Sequence, residues 1–190
     1  MAARRAVLSG GVMALAGCAG VPVPFARMPP DPQLGFADPA RQAIIHAAYA
    51  FPATGSMAGR PWEAAQAIQE AEFLAVELNY GQRWIEMSPL PKMAFVQARP
   101  EWRAALGIDP AAEPQAVIDA LTAVRYAFGG QDRVAAAAAL RPPVFTPGGE
   151  ATLARLATLP PLPATAWAAT MALQEMWRIQ RQGDRGNNWR

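Results

Sequence analysis

Among 190 residues the chain has one cysteine, Cys18, one histidine, His46, and one lysine, Lys92. A single thiol excludes an internal disulfide, and one imidazole with one thiol is too few for the usual zinc sets of histidine and cysteine. Charge of one sign is also missing: 17 basic side chains face 15 acidic ones. A chain so balanced has no strong field to draw it to nucleic acid. No apolar run approaches the about 20 residues that cross a bilayer. There is no Gly-x-Ser-x-Gly elbow, no phosphate loop with its lysine, no dinucleotide fingerprint and no haem-attachment motif. What is abundant is apolar material, 52% of the chain, together with alanine and 19 prolines. That much apolar surface excludes a wholly disordered chain, and the length fits one domain with tails.

The N-terminus carries an address. Arg4 and Arg5 make a positive start, and Ala6 to Leu15 follow as a short apolar stretch broken by Ser9, Gly10 and Gly11. Small residues then lead to a cysteine, Leu15-Ala16-Gly17-Cys18. A charged start, a brief hydrophobic run and a small-residue site describe an export signal. These twenty residues resemble the signal peptide and lipobox of bacterial lipoproteins. The resemblance implies cleavage before Cys18, a diacylglycerol on its thiol and acylation of the freed amine. Two or three acyl chains anchor firmly where one does so only marginally. The resemblance further implies a cell-envelope location. Ala19, where inner-membrane retention would place aspartate, is similar to the outer-membrane sorting pattern, with the domain facing the periplasm. Arg4-Arg5-Ala6-Val7-Leu8 partly resembles a twin-arginine signal, but Val7 stands where that family prefers Phe, and unfolded export is the expected route. Loss of residues 1–17 removes two arginines and no acid, leaving 15 basic against 15 acidic side chains.

Residues 18–35 read as the acylated cysteine and a stiff, poorly packed tether, because Pro22, Pro24, Pro29, Pro30 and Pro32 favour extended backbone. Of this stretch, Phe25 and Met28 are the residues expected to touch the domain. Residues 36–182 form that domain and 183–190 a polar tail. Its signals are helical, with prolines marking the starts. Asp38-Pro39 supplies a cap and a first-turn proline. Pro61 opens the longest expected helix, with Ala64, Ala67, Ile68, Ala71, Leu74, Ala75 and Leu78 on one face and Glu63, Gln66, Glu70 and Glu77 opposite. Short helices are expected over 92–98 and from Pro100 to Leu106, a better one from Pro114 to Gly129, an alanine-rich one after Asp132, one from Pro147, and a last long one from Pro163. With no useful β-alternation, the fold class is all-α, a compact array of about five to seven helices with proline-rich corners.

Candidate chemistry is sparse. His46 projects to the polar side of its helix and reads as a solvated histidine, since one imidazole makes neither a triad nor a metal site. Glu63, Glu70 and Glu77 recur every seven residues, about 10 Å apart along the axis, too far for neighbours to share one ion or proton. They read as a solvated face. Glu72, between Ile68 and Val76, is expected partly buried and paired with an arginine, a structural ion pair before a catalytic acid. Trp62, Trp102, Trp167 and Trp177 read as core. The segment 80–92 places Tyr80, Trp84, Met87 and Leu90 beside a Pro-Leu-Pro corner, a composition shared by interface cores and by helix ends tucked under loops. No catalytic residue, metal or cofactor is assigned. The expected function is therefore protein or cell-wall binding by a lipid-anchored helical domain. A module for a small apolar or lipid-like ligand with Trp and Met walls is the alternative, and an enzyme ranks third.

Overall fold

The computed structural model describes residues 23–29 and 38–187. Residues 1–22, with the expected signal peptide and Cys18, and residues 30–37 of the expected tether and domain start lie outside the described residues. Seven α-helices build the domain: α1 Pro39–Ala50, α2 Pro61–Tyr80, α3 Pro89–Leu106, α4 Pro114–Gly129, α5 Arg133–Ala139, α6 Gly149–Ala157 and α7 Pro163–Asn187. Tight 3-10 turns cover Phe51–Met57 and Gln82–Trp84. The fold is all-α, and the described residues contain no strand beyond a single antiparallel bridge between Ile108 and Phe145.

Proline opens α1, α2, α3, α4 and α7. At the first helical position its missing N–H would have had no intrahelical acceptor, and its fixed φ is already helical. The Asp38 carboxylate accepts from the Ala40 and Arg41 amides, and Asp132 does the same for Ala135 at the start of α5. Gly107 ends α3 at φ +69°, a left-handed cap that a β-carbon would disfavour.

The helix from Pro61 sits at the centre of the array. It packs on α1, α3, α4 and α6, while α7 lies across α1 and α3. The expected apolar face is buried from Ala64 to Leu78, but Gln69, Glu70, Glu72, Phe73 and Val76 are buried too. A helix enclosed on several sides has no solvated stripe, so the carboxylate face expected at Glu70 is overturned. The two short helices expected around Pro100 are one helix, α3. Pro100 is exposed, and so is Val96, whose carbonyl the proline ring crowds. The last helix runs to Asn187 rather than ending before Gly183. Arg178 helps to hold its last turns through Glu175 and Gln182.

Two further expectations are corrected by burial. Trp102 is fully enclosed, but Trp62, Trp167 and Trp177 are each more than a third exposed. Trp62 leans on Phe128 with ring centroids 5.5 Å apart, and Arg41 lies 5.8 Å over the Trp177 ring, so both are half-covered at the surface. Residues 23–29, read as poorly packed, lie against α2 and α4. Ala26 is buried and Met28 packs on the core, whereas Phe25 is exposed.

Candidate functional site

The 80–92 segment follows the end of α2, where Gly81 leaves the helix with extended backbone. Its four singled-out residues divide. Trp84 and Met87 are 4% and 3% exposed and belong to the core, whereas Tyr80 and Leu90 face solvent. Trp84 is held by its indole N–H, which donates to Glu77 at 3.2 Å, and by Arg83, 4.8 Å over the ring. The loop beyond is tied to α7, where Glu175 accepts from the Ser88 amide at 2.8 Å and pairs with Arg178. Those partners hold the Glu175 carboxyl down at about 2.

Leu90 instead opens a row. One helical step after another, Leu90, Met93 and Val96 stand 49%, 55% and 47% exposed on the outer face of α3. Gln97, Pro100 and Ala104 continue the row in exposed positions. Half-buried Lys92, Arg99 and Glu101 flank it. The periodicity is present in the sequence, but a helix expected to start only at residue 92 leaves Leu90 outside it, whereas α3 starts at Pro89.

The polar interior holds two carboxylates that a sequence reading could place only in part. Glu70 and Glu72 are two residues apart, so about 200° of helical rotation sends them to different sides of α2. Glu72 is fully buried and paired with arginine as expected. It accepts from the Trp102 indole at 2.7 Å and forms a two-pronged contact with the Arg103 guanidinium, and Arg99 lies 3.4 Å away. Arg103 also donates to the carbonyls of Asp109 and Pro110 at 3.2 and 2.9 Å. Burial lowers the pKa of Arg99, opposed by the Glu72 charge. The cluster joins α2, α3 and the following loop, with its oxygens committed to structural donors.

Glu70 meets the histidine. His46 Nδ1 lies 2.5 Å from Glu70 Oε2, and Gln66 donates to the other oxygen at 3.0 Å. His46 is half-buried and paired, not solvated. Burial lowers its pKa, but the hydrogen bond and charge of Glu70 prevail, with Glu63 adding to them and Arg125 opposing, and the net shift is upward. Burial likewise pushes the Glu70 carboxyl up, against His46, Gln66 and Arg125. A carboxylate behind an imidazole is the orienting half of a nucleophilic site. Among the described residues no group of three or more His, Cys, Asp or Glu side chains could hold a metal ion. The pair couples α1 to α2 across the chain, which no spacing in the sequence announces.

Open grooves are found at two places among the described residues. One, of about 250 Å³, lies between Val23, Phe25 and the end of α2 at Val76, Glu77, Tyr80 and Gly81. The other, of about 530 Å³, is floored by alanines of α4 and α5, among them Ala116, Ala120, Ala135 and Ala139, and edged by Pro142 and Val144. Neither has the Trp and Met walls expected for an apolar ligand.

Comparison of the chain with protein-family models, curated proteins and solved structures finds no match. No helix among the described residues is long and apolar enough to cross a membrane.

Proposed function

We propose that the chain is a lipid-anchored envelope protein, held at the outer membrane by acylated Cys18, whose helical domain works by binding another protein along the outer face of α3. The observation that carries the binding half is the row Leu90, Met93, Val96: large apolar side chains at successive helical steps, about half exposed, over a buried core. Scattered exposed apolar residues need no explanation, but a contiguous row on one helix does. Such a face fits a groove or helix of a partner, read at the i, i+3 and i+6 positions. The buried carboxylates favour this over catalysis, because Glu70 and Glu72 are buried toward different sides of α2 and held by structural partners. The anchor half rests on Leu15-Ala16-Gly17-Cys18.

The test places a photoreactive side chain at Met93, and at exposed Ala154 on α6 as control, in the full-length protein in its own cells. The Met93 position gives a discrete crosslinked band and the Ala154 position does not. Met93→Asp removes the band without moving the melting temperature. Equal crosslinking from both positions, or none from Met93, refutes the partner face. Cys18→Ala leaves the protein unprocessed or releases it from membranes. A variant that stays membrane-bound at normal mature mass refutes the anchor.

A further inference from the structure

Residues 23–29 form a strap whose course is fixed by contacts to two helices. The side-chain amide of Gln115, at the start of α4, accepts from the Arg27 amide at 2.7 Å and donates to the Arg27 carbonyl at 3.1 Å. Both contacts are to backbone, as in a sheet ladder. Ala26 is buried beneath them, and Met28 accepts a weak hydrogen bond from the buried Gln69 amide in the middle of α2 at 3.7 Å. In the other direction Val23, Pro24 and Phe25 lie beside Tyr80 and Gly81. The strap therefore runs antiparallel to α2, and the chain leaves the domain toward Cys18 at the C-terminal end of that helix.

This exit sets a distance. Ala19 to Pro22 are all that separate Cys18 from Val23. Five Cα steps reach at most about 18 Å, however they are arranged. Released as far as Asp38, the same leash would reach about 70 Å. A docked strap keeps one pole of the domain beside whatever holds Cys18. The side chains exposed at that pole include Val23 and Phe25 at 70% and 69%, Tyr80 at 52% and, four residues past Gly81, Ile85 at 83%, with Gln82, Arg83 and Glu86 exposed beside them. Arg27 lies 5.7 Å over the Phe25 ring. Aromatic rings and a guanidinium on an apolar stem suit the headgroup layer of a bilayer, where one end is dry and the other wet.

We propose that this pole, Val23, Phe25, Tyr80 and Ile85, seats in the interfacial layer of the lipid bilayer that holds the acyl chains of Cys18. The occupant is lipid because a docked strap holds the pole within about 18 Å of the acylated cysteine, against about 70 Å with the strap released. The inference rests on the lipid-anchor reading above. The α3 row begins near this pole and runs away from it for about 21 Å, which leaves the partner face accessible from the side.

The test uses the full-length, acylated protein in vesicles of phosphatidylethanolamine and phosphatidylglycerol carrying a lipid-borne quencher. Acylation blocks the only native thiol, so a fluorophore is placed by Tyr80→Cys at the pole or by Thr158→Cys at the far end of α2, where the Ala157 carbonyl accepts from Gly59 at 2.8 Å. An apolar face enters about 5–10 Å below the headgroups, so emission from position 80 falls by at least about half while position 158 is unaffected. Gln115→Ala frees the strap, abolishes the difference and leaves the protein vesicle-bound. An acylated protein in which neither label is quenched, or both are quenched alike, overturns the seated pole and leaves the anchor standing. A mature mass without acyl groups overturns the anchor and the pole with it. Quenching at position 80 that a soluble protein abolishes by covering the pole would assign the surface to a protein partner and overturn the lipid assignment.

Discussion

At the scale of single residues, proton binding makes the His46–Glu70 pair felt in the stability of the fold. The folded pKa of His46 lies above its ordinary 6.5, so the stabilisation it gives is complete below that value and fades as pH rises through the folded one. Glu70 is raised above 4.5, so here too the folded state holds a proton that the unfolded chain releases. Both shifts make the native state the better proton binder, and stability must fall with rising pH over that range. Melting temperature is expected to decline as pH rises above 6.5, and His46→Ala to flatten that decline. A melting temperature that rises over the same interval refutes the pair as the cause. Glu175 works in the opposite sense: held at about 2 by Arg178 and the Ser88 amide, it lends stability above 4.5 that is lost as pH falls toward 2.

At the scale of elements, the decisive fact is the enclosure of α2. An amphipathic pattern tells which face is apolar, and it found Ala64, Ile68, Leu74 and Leu78 correctly. It cannot tell how many neighbours a helix has. Glu70 reads as a surface residue until α1 brings His46 over it, and Glu72 was legible because its neighbours Ile68 and Val76 placed it at an edge. Caps and helix-starting prolines were legible for the same local reason, since each acts within one turn. Trp62, Trp167 and Trp177 were misread because apolar neighbours on a helix do not guarantee a covering helix. The loop joining α2 to α3 tests the difference directly. Trp84→Ala removes a buried indole, its bond to Glu77 and the stack under Arg83. The cost is about 3–5 kcal/mol. That corresponds to a melting temperature lower by about 10 °C for a chain of this size. Leu90→Ala, on the exposed row, should move it by no more than about 1–2 °C, since surface changes stay within about 0.5 kcal/mol. Comparable losses at both positions, read in thermal melts, would contradict the division of that segment into core and surface.

At the scale of the whole molecule, the described chain is one array around α2 with a strap laid across it, and the strap is the part whose removal the array should survive. The helices carry the large buried side chains: Ile44, Ile68, Leu74, Phe95, Trp102, Leu121 and Leu153 are all on α1 to α6. The strap adds one small buried residue, one partly buried methionine and the two Gln115 bonds. Ala26 and Met28 together bury side-chain area worth about 2 kcal/mol. The Gln115 bonds add about 1 kcal/mol each before the entropy of ordering the strap is subtracted. The net contribution is therefore small beside a core of this size. A chain beginning at Asp38 should fold cooperatively, with an unfolding free energy lowered by about 1–2 kcal/mol in denaturant titration, read as a lower midpoint at an unchanged slope. Loss of the cooperative transition would show that the strap is part of the core. No change at all would show that its contacts with Gln115 and Gln69 hold nothing in solution. The intermediate result is the one a docked but releasable strap requires: strong enough to be occupied at rest, and weak enough for a variant at Gln115 to free it.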